Sequence, residues 1–133
     1  MSFDHKQLNG LTLAYMGDAV YEKEIREYLI KKGLTKVNEL QRQSKMFVSA
    51  KAHAQIFRTL FDQNFFTEAE LDIFKRGRNS HPHTKAKNTD IVTYQISSGV
   101  EALIGFLYLD GQSERLQEVI LKMIKTVEES SKN

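Results

Sequence analysis

Two carboxylates stand alone in apolar sequence. Asp18 lies within LAYMGDAVYE (residues 13–22), and Glu101 is the only charged residue of IVTYQISSGVEALIGFLYL (residues 91–109). An ionised carboxylate taken from water into a hydrophobic interior without a partner costs several kcal/mol or takes up a proton. Each acid therefore asks for a counter-charge. Brought together, the two would make an all-oxygen site of the kind that hard Mg²⁺ or Mn²⁺ occupies while keeping several waters. An ion pair or a helix cap is the other reading of either residue taken alone.

The elements that must position these acids are helical. At 100° per residue, Leu11, Tyr15, Asp18, Glu22, Ile25 and Leu29 share one stripe, with Leu13, Met16 and Val20 opposite, so this helix is apolar nearly all round and central in a bundle. On the second helix Asp90, Tyr94, Ser98, Glu101, Gly105 and Tyr108 share a small, polar face, and glycines at 17, 99 and 105 predict a close approach of the two. Strand signals are scarce. The spacing predicts an all-α chain with helices over 7–32, 36–43, 45–62, 67–77, 90–110 and 112–130, forming one domain over 1–133. Gly33 after Lys31 and Lys32 reads as a helix end, and Thr67 with Glu70 as a capping box. Residues 76–88, with Gly77, Asn79, Ser80 and the single Pro, predict a long loop of the sort that often carries function.

Composition narrows the classes. With 133 residues, 41% hydrophobic and 27% charged, the chain can bury a core without staples. The absence of Cys excludes disulfides and thiolate metal sites, and no apolar run reaches the roughly 18 residues of a membrane span. A soluble cytoplasmic protein is expected. The net charge of +2 is small, but its distribution is uneven. Residues 40–61 hold Arg42, Lys45, Lys51 and Arg58 with no acid, and residues 73–89 hold Lys75, Arg76, Arg78, Lys85 and Lys87, again with no acid.

GDAVYE at 17–22 together with VEALIGFLYLD at 100–110 resembles the catalytic domain of ribonuclease III, and LQRQSKMFVSAKAHAQIF at 40–57 resembles that fold's middle helices. The resemblance covers about residues 8–110 in the expected order. It implies an all-helical homodimer that cuts double-stranded RNA with Mg²⁺, or Mn²⁺, leaving 5′-phosphate and 3′-hydroxyl ends. It also implies that Asp18 and Glu101 are the catalytic, metal-holding acids. Two positions depart from the family pattern, since Ala14 and Ser98 stand where further acids are usual. Glu22 and Asp90 lie on the right faces to assist through water, or serve as salt-bridge and capping residues. The reduced acid set, the KRGRN stretch at 75–79 and an end at Asn133 without a double-stranded-RNA-binding domain point to the reduced bacterial branch of the family. That branch implies maturation of the large-subunit (23S) ribosomal RNA precursor, and leaves open a ribosomal-protein helper.

Affinity for RNA would then have to come from the catalytic domain. Arg76, Arg78, Lys85 and Lys87 on the expected loop could reach phosphates, with Asn79 or Asn88 reading a 2′-hydroxyl. His81 and His83 form an HPH spacing whose solvated or phosphate-facing role is favoured over metal binding for want of a third ligand. The run Arg42, Lys45, Lys51 and Arg58 is divided between helix faces, as surface or RNA contact. Phe57, Phe61, Phe65, Phe66 and Phe74 recur at helical spacing and read as core or dimer interface. A catalytically silent RNA-binding dimer of the same fold is the rival function; retention of both acids favours the enzyme.

Overall fold

The computed structural model describes residues 4–80 and 90–131. Among them are a short 3₁₀ turn at His5–Gln7 and six α-helices: α1 (Gly10–Lys31), α2 (Val37–Val48), α3 (Ala50–Asp62), α4 (Glu68–Asn79), α5 (Ile91–Leu109) and α6 (Ser113–Ser131). No strand occurs among the described residues. The all-α expectation holds.

Local chemistry sets most boundaries. The Asn9 side chain accepts from Thr12 N at 2.9 Å to start α1, and Gly33, at φ 111°, turns the chain beyond its end. Asp90 starts α5 by accepting from Val92 N at 2.8 Å and Thr93 N at 3.3 Å. Thr67 and Glu70 form the reciprocal capping box at α4. The break between α2 and α3 falls at Ser49, whose hydroxyl accepts from Ala52 N at 3.1 Å, rather than near residue 44 as the spacing predicted. Both positions are serines; only Ser49 takes the extended conformation of an N-cap.

The α1 and α5 helices share the largest interface and run antiparallel at the centre of the bundle. Their backbones touch: a Cβ added at Gly17 would overlap the carbonyl oxygen of Glu101 and stand 2.8 Å from Gly105 N, while one at Gly105 would stand 2.9 Å from Gly17 N. Gly99 was expected to serve the same crossing. It faces α4 instead, where an added Cβ would lie 2.6 Å from ring carbons of Phe74. Around this centre Leu13, Ile25, Leu29, Ile104 and Leu107 are buried, and α6 adds Leu116, Val119, Met123 and Ile124 from outside. Phe57 stacks on Phe74 with centroids 3.9 Å apart, and Phe66 lies beside Phe57, so these rings are core; Phe61 is exposed.

Arg115 fastens α6 to α4. Its guanidinium donates to both oxygens of the buried Glu70 at 2.7 Å and to the carbonyl of Phe65 at 2.9 Å, and it lies over the Phe65 ring. A forked pair of this kind keeps both charges satisfied out of water.

Candidate active site

The α1–α5 crossing fixes the two lone acids. Gly17 precedes Asp18, and its contact with the Glu101 backbone brings the two residues side by side; the Glu101 carboxyl lies within hydrogen-bonding reach of the Asp18 carboxylate. Their environments differ from the expectation that Asp18 is the immersed charge. Asp18 is exposed, and so are Leu11 and Tyr15 on its stripe, Tyr15 at 82%. Only the lower part of that stripe, Ile25 and Leu29, turns into the core. The helix is not apolar all round as its spacing predicted: Lys23, Arg26 and Glu27 are exposed along with Asp18, and its buried side runs through Leu13, Gly17 and Tyr21.

Glu101 bears the desolvation. Its carboxyl is pushed up to about 8, first by burial, then by the negative charge of Asp18, the hydrogen bond shared with it, and Glu22. At neutral pH, without a cation, Glu101 holds a proton and donates it to Asp18. Glu22 adds charge nearby but is engaged with Arg26 at 3.4 Å. Asp90 is a cap: its hydrogen bonds to Thr93 and Val92 hold its carboxyl below the usual range. Ala14 and Ser98 are both buried.

One turn further into the bundle lies a polar layer that the sequence reading did not single out. Tyr21 follows Asp18 by three residues, Ser97 precedes Glu101 by four, and His53 of α3 touches both. His53 Nδ1 is 3.0 Å from Ser97 Oγ, and its ring meets Tyr21 edge-on at 5.2 Å. His53 is 1% exposed, and burial pushes it down to about 4 against the opposing pull of Asp18, so the imidazole is neutral near pH 7. Among the described residues Tyr21 Oη and His53 Nε2 have no partner. The available signal was a lone His in AKAHAQIF, in register with the buried Ile56 and Leu60.

The expected RNA-contacting residues divide. Arg76, Arg78 and Asn79 occupy the last turn of α4, not a loop, because Gly77 packs against Ser98 and Gly99 of α5 instead of ending the helix. The Arg76 guanidinium donates to the backbone carbonyls of Lys6 at 2.6 Å and Leu8 at 3.3 Å, and so pins the N-terminal segment. Arg78 donates to Asn79 Oδ1 at 3.1 Å and lies over the Phe74 ring. Lys85, Lys87, Asn88, His81 and His83 lie outside the described residues.

Comparisons with known proteins bear on the family and the fold. Residues 11–112 match the model of the Ribonuclease III domain. Over 124 residues the chain is 53% identical to the Mini-ribonuclease 3 of Staphylococcus aureus (strain NCTC 8325 / PS 47), covering 93% of this chain and 92% of that one. It is 49% identical over 128 residues to the Mini-ribonuclease 3 of Enterococcus faecalis (strain ATCC 700802 / V583), covering 96% and 97%. The crystal structure of a Fusobacterium nucleatum protein superposes with a TM-score of 0.80 at 31% identity, covering 93% of this chain and 98% of that one.

Proposed function

The chain belongs to the ribonuclease III family and is an endoribonuclease of double-stranded RNA, and we propose that Asp18 and Glu101 are the residues that hold its divalent cation and carry the cleavage. The observation that carries this reading is the meeting of the two carboxyls at the α1–α5 crossing, with Glu101 protonated for want of a counter-charge. An all-oxygen donor pair with one carboxyl half-buried and one exposed suits Mg²⁺ or Mn²⁺. Among the described residues no group of three His, Cys, Asp or Glu is placed to hold a metal, so water and RNA phosphate oxygens would complete the surroundings of a bound ion.

When bound, the cation supplies Lewis-acid activation of water and neutralises charge at the phosphate. A bound cation would require Glu101 as the carboxylate. Asp18, exposed, holds the side that meets the phosphodiester. Beneath them Tyr21, His53 and Ser97 close the site from bulk water without adding charge, because His53 is neutral. The products carry 5′-phosphate and 3′-hydroxyl ends.

Arg78 and Asn79 on α4, with Lys85 and Lys87, supply phosphate contacts; Arg76 belongs to the same basic set while its guanidinium holds the backbone of Lys6 and Leu8. The active unit is a homodimer, supported by Leu11 and Tyr15, large apolar side chains left exposed on the Asp18 face. No described helix is long and apolar enough to cross a membrane, and the activity is assigned to the cytoplasm as one catalytic domain. The substrate is the 23S ribosomal RNA precursor.

Cleavage of a structured RNA with Mg²⁺ tests the acids. Asp18→Asn and Glu101→Gln, folded as the parent by circular dichroism, should lose cleavage; equal cutting removes them from the mechanism. Mapping the ends of precursor ribosomal RNA, bare and with ribosomal proteins bound, tests the substrate. A monomer mass at working concentration refutes the dimer.

A further inference from the structure

The basic residues of 40–61 do not act as one patch. Arg42 is paired with Glu39 on α2. Lys51 and Arg58, two helical turns apart on α3, instead face α6 across a groove of about 770 Å³, whose far wall carries Lys122 and Lys125. All four are exposed. Among the described residues Glu129 is the only carboxylate lining the groove, and Lys51, Lys122 and Lys125 make no ion pair with a described acid. Arg58 is also felt by Asp90, which is occupied in capping α5. Thr59 and Ser130 also line the walls, while the Thr126 hydroxyl donates to the carbonyl of Lys122 at 2.8 Å.

The other side of α6 has the opposite sign. There α1 and α6 enclose a groove lined by Glu24, Glu27, Glu114 and Glu118, with Lys31 bound to Glu27 and Arg115 bound to Glu70 and Glu118. A chain of net charge +2 has thus sorted its charge across one helix. A polyanion is drawn to one groove and repelled from the other.

We propose that the α3–α6 groove is a phosphodiester-backbone site, in which Lys51, Arg58, Lys122 and Lys125 hold a stretch of the RNA duplex outside the strand segment at Asp18 and Glu101. This rests on the assignment of duplex RNA as substrate. Ammonium and guanidinium groups on opposite walls, with hydroxyl donors between them, match a run of phosphates and carry no base-reading geometry. Binding there is independent of sequence and dependent on salt.

The test is the affinity of the full chain for a duplex RNA without added metal, measured across a salt series. Each cation that neutralises a phosphate contributes about one unit to the slope of log Kd against log salt. Lys122→Gln/Lys125→Gln should lower that slope by about 2 and weaken binding for every duplex sequence. Lys23→Gln/Lys31→Gln, which removes the same charge from α1, should leave the slope unchanged. Equal effects of the two double variants would reduce the groove to net charge and overturn the site, as would no effect of either. Parallel cleavage by the parent with Mg²⁺ separates the two readings. A parent that cuts and binds, beside a groove variant that binds equally well, refutes the groove alone; a parent that neither binds nor cuts duplex RNA refutes the substrate and the groove with it.

Discussion

Gly17 rests directly on the backbone of Glu101, with no room between them for a methyl group. The spacing of the Asp18 and Glu101 carboxyls is therefore set by main chain against main chain. Side-chain adjustment cannot relieve a clash there, so Gly17→Ala should exceed the usual overpacking cost of about 1–3 kcal/mol. Denaturant unfolding should show a loss of about 3 kcal/mol or more, with cleavage lost in the fraction that stays folded. Gly33→Ala meets no neighbour and suffers only its positive φ, so it should cost about 1–2 kcal/mol and leave cleavage intact.

Cation binding should release a proton. Glu101 is pushed up to about 8 in the metal-free fold, so near pH 7 it is protonated, and a bound Mn²⁺ or Mg²⁺ requires the carboxylate. Calorimetric titration with Mn²⁺ in two buffers of different ionisation enthalpy should give nearly one proton released per chain. Glu101→Gln should release none. Equal release from both would place the proton elsewhere.

Stability without metal should be bounded on both sides. A carboxyl with a raised folded pKa stabilises most below its unfolded pKa, near 4.3, and that contribution is lost as pH rises through about 8. A histidine with a depressed folded pKa acts oppositely: the contribution of His53 is present above about 6.5 and lost as pH falls through about 4. Thermal unfolding from pH 4 to 9 should trace both limbs. Glu101→Gln should flatten the alkaline limb and His53→Gln the acid limb, each leaving the other in place.

Arg76 and Arg78 should separate by phenotype despite standing two residues apart. Arg76→Ala removes donors to the carbonyls of Lys6 and Leu8 and should cost about 1.5–3 kcal/mol of stability. Arg78→Ala leaves the fold within about 0.5 kcal/mol and lowers the salt slope of RNA binding by about 1. Unfolding and binding isotherms on both variants check the assignment; reversed phenotypes reject it.

The lone acids were legible because each interrupts an apolar helix, and the family resemblance named their chemistry. Which acid is immersed was not legible. Helical phase places Asp18 on a stripe, but the stripe's depth depends on where α5 and α3 press, and they press on Gly17 and Tyr21. Gly77 read as a terminator since punctuation and close packing use the same residue; its true neighbours, Ser98 and Gly99, stand 21 and 22 residues further along the chain. His53 escaped notice for a similar reason. Its partner Ser97 stands 44 positions along the chain, and no local period links them. The α2–α3 break was missed because Ser44 and Ser49 are equal candidates until the backbone chooses.

The burial of Ala14 and Ser98 has a consequence for the chain before any ion arrives. A carboxylate at either place would join Glu101, whose acidity is already suppressed by its neighbours, and a second proton or a repulsion would have to be carried by the metal-free fold. With Ala14 and Ser98 in those places, the repulsion at the α1–α5 crossing is confined to Asp18, Glu101 and the nearby Glu22.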